Sequence, residues 1–309
     1  MEKIKKKNIL ITGGSGFIGR NLQEYFHSKH FIFAPSHRDL DLLNTEKLTN
    51  FIRRNNIQII IHGANIGGER DTIEIKDMVK TNLRMFFNIV RNLNIIEKVI
   101  HLGSGAEYDK KRTLAQVKEE EFDSMMPQDD YGFYKYVCSK YIEKADKIIS
   151  LRLFGIYGKY ENYQFKFISN AIVKNLFHLP ITIGQNVYFD FLYIEDLLKI
   201  IDYFIAHDAE YKEYNISNGK RIDLITISHI INEISDFKSK IIVLHKELNN
   251  EYSGDNKRLI KEITDLTFTS AEDGIKKLYD WYKNKLKTID KKLIEEDRYI
   301  QYINVNKHV

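Results

Sequence analysis

A phenol and an ammonium stand four residues apart in Tyr131-Gly132-Phe133-Tyr134-Lys135, a spacing that puts both on one face of a helix. An ammonium beside a phenol favours the phenolate, lowering the phenol's pKa so that it can exchange a proton near neutral pH. With 19 tyrosines in a lysine-rich chain, chance pairs are expected, and Tyr136-Val137-Cys138-Ser139-Lys140 is one. Position separates them. Tyr131 follows Asp129-Asp130 in the first turn of its helix, whereas Tyr136 lies more than a turn deeper and reads as packing. Ser104, in His101-Leu102-Gly103-Ser104-Gly105-Ala106-Glu107-Tyr108, follows a predicted strand, where its hydroxyl can donate to a carbonyl oxygen alongside the tyrosine. Alone it would be a turn residue; its company gives it the chemical reading.

A glycine-rich run, Thr12-Gly13-Gly14-Ser15-Gly16-Phe17-Ile18-Gly19, lies between the first strand and the first helix. Glycines there allow a tight turn and close backbone approach, and the helix start offers unpaired N–H groups to a pyrophosphate. Placed after an amino-terminal strand and before an amphipathic helix, the run reads as a dinucleotide site. An acid at the end of the second strand would bind the ribose 2′-hydroxyl of NAD. Here Ala34-Pro35-Ser36-His37-Arg38 brings no acid before Asp39, and a guanidinium suits a 2′-phosphate. NADP(H) is therefore the expected cofactor, with a solvated loop arginine as the competing reading of Arg38.

The elements that position these residues alternate. Strands are expected at Asn8–Thr12, Phe31–Ala34, Gln58–His62, Lys98–Leu102 and Ile148–Leu153. Helices fit Phe17–Ser28, Thr45–Asn55, Ile73–Leu93 and Asp130–Asp146 between them. That order implies an α/β fold, a Rossmann-type doubly wound parallel sheet over residues 1–158. Residues 159–309 read as a smaller C-terminal substrate-binding lobe with some segments returning to the main domain, and the charged last twenty as a surface helix or loose tail.

The chain has 309 residues, 43% hydrophobic and 29% charged, which suffices for a sizeable core and excludes intrinsic disorder. Its 47 basic and 43 acidic residues are interleaved, unlike the one-sided charge of a nucleic-acid binder. No apolar run is long enough for a membrane span, and no signal peptide is recognised, so a cytoplasmic location is expected. One cysteine, Cys138, leaves no disulfide framework and no multi-cysteine metal site.

Together these residues resemble the extended short-chain dehydrogenase/reductase family in its nucleotide-sugar branch, and within it the GDP-fucose synthase-like 4-keto sugar reductases. The resemblance runs from the glycine loop through Asp41-Leu42, His62-Gly63-Ala64, Ile66-Gly67-Gly68 and Asn82 to the Ser104 loop and Tyr131/Lys135. It continues in Arg152–Gly158, Asp190–Asp196, Asn215–Gly219 and Asp280–Tyr282. It implies catalysis by Ser104, Tyr131 and Lys135. It places the cofactor on Gly13, Gly16, Phe17, Ile18, Gly19, His37, Arg38, Asp41, Leu42, Ala64 and Asn82. Substrate would meet Gly105, Ala106, Gly155, Lys166, Lys174, Phe189 and Arg258. No metal is implied, and a homodimer through the two long helices is, although their apolar stripes could equally be core.

Departures from the family narrow the reaction. The branch's dehydratases carry an acid pair where this chain has Gly105 and Ala106, and neither can move a proton. GDP-fucose synthases use a cysteine at the Ala106 position and a histidine near Lys166 for epimerisation, which both replacements disable. Phe189 replaces a diphosphate-binding arginine, and Gly155 an asparagine. Lys174 is offered in compensation, with a solvated helix lysine as the alternative, and Lys257 and Arg258 are further candidates. The expected activity is NADPH-dependent reduction of a nucleotide-diphosphate 4-keto sugar at C4. A nucleotide-sugar 4-epimerase holding NAD, and a non-catalytic NADP-binding protein, are the alternatives.

Overall fold

A computed structural model describes residues 6–68 and 75–305. In the first half, β1 (Asn8–Thr12), α1 (Phe17–Phe26), β2 (Phe31–Phe33), α2 (Thr45–Arg54), β3 (Ile59–His62), α3 (Met78–Val90) and β4 (Lys98–Ser104) alternate. Then come β5 (Leu114–Val117), α4 (Asp130–Ile142) and β6 (Ile148–Leu153). Local chemistry fixes the helix starts. Asn44 accepts the Lys47 N–H at 2.9 Å before α2, and Asp129 accepts the Gly132 N–H at 3.0 Å before α4. Glu46 near the start of α2 and Arg53 and Arg54 at its end match the helix dipole. The expected start of the third helix, at Ile73, lies outside the described residues.

The second half holds β7 (Gly155–Tyr157), α5 (Phe167–Leu176), β8 (Ile181–Gln185), β9 (Tyr188–Phe189), β10 (Phe191–Tyr193) and α6 (Ile194–Ala206). It goes on through β11 (Glu213–Ile216), β12 (Ile222–Asp223), α7 (Leu224–Ile234), β13 (Ile241–His245), β14 (Tyr252–Gly254), α8 (Lys257–Glu262) and α9 (Ala271–Lys285).

Six strands form the main sheet in the order β2-β1-β3-β4-β6-β11, every neighbouring pair parallel. The central strands carry near-continuous apolar runs because helices cover both faces. On one face Leu10, Ile60, Val99 and Ile148 pack with Leu48, Phe86, Ile89 and Ile142. On the other, Ile9, Ile11, Ile61 and Ile100 pack with Leu22, Phe26, Leu197 and Ile201. Chain order reverses at β1/β3, and the carboxyl ends of strands flanking such a point open a crevice.

The chain crosses between the two parts in both directions. β11, not expected as a strand, completes the main sheet beside β6, whereas β5 leaves the first half to join the small sheet β12-β9-β14-β5. Of the two readings of the last segment the surface helix holds and the loose tail does not: Lys291–Glu295 and Arg298–Val305 are helical, Ile294 and Tyr299 are buried, and Asp297 pairs with Lys174 at 2.8 Å. Among the described residues no helix is long and apolar enough to cross a membrane.

Candidate active site

The glycine loop is shaped by two close approaches. Gly13 adopts a φ of +74°, and a Cβ there would lie 2.9 Å from the Ala64 backbone nitrogen. A Cβ at Gly19 would lie 2.2 Å from the Gly13 carbonyl oxygen, so α1 rests directly on the loop. Gly16 caps α1 without a side-chain bond, leaving the helix start to backbone N–H groups. Phe17 and Ile18 lean on the core beside it. A cradle that any Cβ would fill, at the start of a helix and beside Ala64, has the form a pyrophosphate needs.

At the end of β2, His37 and Arg38 are exposed, and Arg38 makes no ion pair among the described residues. The nearest acid, Asp39, accepts the Ser36 hydroxyl at 2.6 Å within its own turn. Asp41 accepts the Leu43 N–H at 2.9 Å with His37 3.9 Å away, and the Leu42 carbonyl accepts from Asn88 at 2.8 Å. Asn82 is a brace for the loop after β3, not an open contact as expected: its amide exchanges two 2.9 Å hydrogen bonds with the Ile66 backbone.

Ser104 ends β4, and Tyr131 and Lys135 lie in the first turns of α4, all at the crevice edge of the sheet. The Tyr131 ring lies against Gly68, where a Cβ would be 2.3 Å from it, and its phenol stands near enough to Ser104 for the serine hydroxyl to lower its pKa. Lys135 donates to the Leu102 carbonyl, and burial lowers its pKa. The expectation that Lys135 lowers the Tyr131 pKa is not met. Burial pushes the phenol up to about 12; the Ser104 hydroxyl pulls the other way, and the nearby Glu107 and Asp129 add to the rise. The ammonium gives one of its three hydrogens to the sheet carbonyl, and the phenol stays protonated. Beneath them His62 is driven down to about 3 by burial and then by the Lys135 charge, so its imidazole is neutral. Thr12 Oγ1 bonds to its Nδ1 at 2.8 Å.

A buried network under Ser104 was not foreseen. Glu107 accepts the Ser104 N–H at 2.8 Å, the Ser139 hydroxyl at 2.6 Å and Arg152 Nε at 2.8 Å, and both ionic side chains are 0% exposed. Arg152 Nη1 also donates to the Tyr108 hydroxyl at 2.9 Å, which donates to Asn215 at 2.8 Å. Tyr252, also unforeseen, stands beside the Ser104 turn, its hydroxyl 2.6 Å from where a Cβ at Gly105 would be.

The expected substrate residues divide. Gly105 and Ala106 form the turn after Ser104, and Ala106 is buried. Phe189 stands at the small sheet with its ring 5.0 Å from Phe191 and 6.0 Å from Tyr252, and Gly155 pairs with Phe191 across β7/β10. Lys166 is exposed just before α5. Lys174 is not available for a diphosphate: it is buried on α5, bonded to Asp297 and, at 3.2 Å, to Thr182. Arg258 is likewise committed, to Glu120 and the Glu213 carbonyl, with Glu119 3.9 Å away. Lys257 pairs with Asp255 at 2.9 Å. Two motifs seen separately in the sequence meet, as buried Asp190 accepts the N–H groups of Asn218 and Gly219 at 2.6 and 3.0 Å. Among the described residues no cluster of His, Cys, Asp and Glu could hold a metal ion.

Residues 9–217, spanning the glycine loop, the Ser104 turn and α4, match the pattern of the NAD dependent epimerase/dehydratase family. The chain belongs to that family. Family relatives include an ADP-L-glycero-D-manno-heptose-6-epimerase of Brachyspira hyodysenteriae, 25% identical, with 87% of this chain and 96% of the relative covered. A GDP-L-colitose synthase of Yersinia pseudotuberculosis is also 25% identical, with 90% and 98% covered. In structure the chain is similar to a GDP-mannoheptose C4 reductase of Campylobacter jejuni with NADP bound, at a TM-score of 0.77 and 20% identity, covering 92% and 99%. In this epimerase/dehydratase member the glycine cradle and Ser104 lie at carboxyl ends of strands of one parallel sheet, with Tyr131 on α4 beside Ser104 and Tyr252 on the small sheet.

Proposed function

We propose that the protein is an NADPH-dependent C4-reductase of a nucleotide-diphosphate 4-keto sugar, a 4-keto-6-deoxyhexose or heptose with GDP favoured, in surface-polysaccharide sugar biosynthesis. The observation that carries it is the Ser104–Tyr131 pair beside a turn, Gly105-Ala106, that holds no group able to move a proton. Inverting C3 or C5 needs a base on one face and an acid on the other, and this turn supplies neither. Similar proteins act on nucleotide sugars, and a structural neighbour binds NADP.

The glycine cradle and Arg38 fit NADPH, which supplies the hydride when bound. Ser104 holds the C4 carbonyl oxygen by a hydrogen bond. Tyr131, protonated well above neutral pH, gives its hydroxyl proton to the alkoxide that forms there. Lys135, anchored at Leu102, orients the nicotinamide ribose beside Tyr131. Phe189, Phe191 and Tyr252 offer aromatic faces to the sugar. We further propose a cytoplasmic homodimer through α3 and α4, where the partly exposed rings of Phe87 and Tyr141 stand 5.4 Å apart.

The test is NADPH consumption with a panel of GDP-, CDP- and dTDP-linked 4-keto sugars, with products read by NMR. Stoichiometric consumption giving a C4 alcohol unchanged at C3 and C5 is expected. Interconversion of C4 epimers without consumption, by protein carrying its own NAD, would overturn the reading. Arg38→Asp should shift preference from NADPH toward NADH by about ten- to a hundredfold, the worth of a charge-assisted bond of ~1.5–3 kcal/mol. An unchanged ratio of the two kcat/KM values would remove the 2′-phosphate from Arg38.

A further inference from the structure

We propose that Lys110 is a positioning residue for the reaction, its ammonium held over the Tyr131 ring so that the phenol can give up its proton and carry the charge left behind. The proposal rests on the reduction described above. In that step the hydride of NADPH reaches C4 and the Tyr131 O–H bond breaks. The proton goes to the oxygen of the forming alcohol, and the phenol oxygen keeps the electron pair as a phenolate. A phenolate shut away from water needs cations near it. Lys135 is one, and it shares its ammonium with the Leu102 carbonyl. Lys110 is the other: its Nζ lies over the Tyr131 ring, 5.7 Å from the ring centre.

The chain on either side holds Lys110 in that place. Asp109, in the left-handed region at a φ of +65°, redirects the backbone after the Ser104 turn, and its carboxylate accepts the Lys111 N–H at 3.2 Å. Arg112 then ties the loop down, its Nε donating to the Tyr108 carbonyl at 2.9 Å. From this loop the Lys110 side chain reaches back to the start of α4. There Nζ stands 3.2 Å from Asp129 Oδ1, the oxygen that also caps the Gly132 N–H at 3.0 Å. The second Asp129 oxygen is buried with no hydrogen-bond partner among the described residues, so the lysine is the cation that answers this carboxylate.

One ammonium therefore does two things for the phenol. It neutralises Asp129, whose charge opposes a phenolate, and it places a positive charge on the ring itself. Among the described residues Tyr131 also faces Glu107 from the turn after β4, Tyr134 and Lys135 from α4, and Tyr252 from β14. Glu107 opposes the phenolate as Asp129 does, and the two lysines favour it. About half of the Lys110 side chain is in solvent, so its effect has the size of an exposed cation–ring contact and not of a buried ion pair. Lys110 acts through Tyr131 and need not touch the substrate.

Lys110→Gln removes the charge and keeps most of the side chain. We expect kcat for the 4-keto sugar to fall about threefold with KM changed less than about twofold, and Lys110→Arg to keep the parent kcat. A second readout needs no substrate. Full-length protein carrying difluorotyrosine, whose greater acidity brings the phenol into a range the fold tolerates, is titrated by 19F NMR. The resonance missing from Tyr131→Phe identifies Tyr131. Lys110→Gln should raise its pKa by about half a unit, the same threefold. Asp129→Asn keeps the cap and should lower that pKa, and Lys110→Gln should still raise it in this background. A pKa that stays in place, or one that moves only while Asp129 is charged, overturns the proposal. So does an unchanged kcat for a sugar that the parent reduces, or an arginine variant no better than the glutamine one. If the pKa moves while the sugar panel is not reduced, the charge on the ring stands and the reduction reading alone falls.

Discussion

Tyr131→Phe is expected to lower kcat for 4-keto sugar reduction by about a thousandfold or more while NADPH binding changes by less than about twofold. The substitution removes one oxygen and little else. The ring would still lie on the Gly68 backbone and keep its edge-to-face contact with Tyr134, whose centroid is 5.4 Å away. Ser104 would keep the Ala106 N–H at 3.2 Å, so the turn beneath the substrate should hold. What disappears is the only hydroxyl placed to hand a proton to the C4 oxygen from the start of α4. General acid catalysis is worth about 10²–10⁴-fold, which sets the size of the loss. The cradle for the cofactor lies on β1 and α1 and has no contact that depends on the phenol. Steady-state rates together with quenching of NADPH fluorescence would measure both quantities. Turnover within tenfold of the parent protein would remove Tyr131 from the mechanism. The parent should also show no loss of reduction rate from Tyr131 in the neutral and mildly alkaline range. An acid must be protonated to act, and burial has pushed this one up to about 12.

What could be seen in the sequence was local. The glycine loop declares itself because the strand before it and the helix after it adjoin it in the chain. The caps Asn44 and Asp129 do so because each bonds within three residues. Ser104 and Tyr131 are recognisable by their places at the ends of predicted elements, and the structure sets them at the end of β4 and the start of α4. The rest depends on pairings across the fold. Tyr252 lies on a three-residue strand with no periodicity to announce it, and it comes beside Gly105 only because β14 docks beside β5. Nothing in the sequence around Glu107 announces a role for it. Its use became visible with Arg152, 45 residues away, entering the same cavity from the neighbouring strand. Lys174 invited the opposite error. A helix lysine near an expected diphosphate looked available until the last segment folded back and brought Asp297 to it. The Tyr131 and Lys135 spacing was right for one helix face, yet the ammonium bonds the Leu102 carbonyl, and burial decides the phenol's pKa.

Arg152→Leu should destabilise the protein by about 3–5 kcal/mol, the usual cost of leaving one member of a buried ion pair without the other. The pair is fully enclosed, so water cannot replace the guanidinium beside Glu107. The carboxylate would keep the Ser104 N–H and the Ser139 hydroxyl, two neutral donors that cannot balance its charge in a medium of low polarity. The Tyr108 hydroxyl would lose its donor as well, and Phe122 the guanidinium that lies 4.0 Å from its ring centre. A typical domain has only about 5–15 kcal/mol of stability, so the shift is large enough to read in a urea titration. Removing both charges, with Glu107→Leu and Arg152→Leu together, should recover part of the loss, because Glu107 no longer stays buried without its guanidinium, although Glu213, 3.6 Å from Arg152, still loses it. Recovery should stop short of the parent. The Ser104 N–H would have no acceptor, at about 1–3 kcal/mol for a buried group left unpaired, while the Ser139 hydroxyl keeps Ser150 at 3.3 Å. The same shortfall should appear in catalysis, because the Glu107 bond fixes the backbone from which the Ser104 hydroxyl projects. A loss below about 1 kcal/mol in Arg152→Leu would mean that Glu107 finds another partner, and would separate this network from the stability of the fold. A full loss with full recovery of both stability and kcat in the double variant would leave the ion pair structural and take Ser104 out of its charge. The expected result lies between them, with stability partly restored and kcat still depressed, because one carboxylate serves both the sheet and the serine.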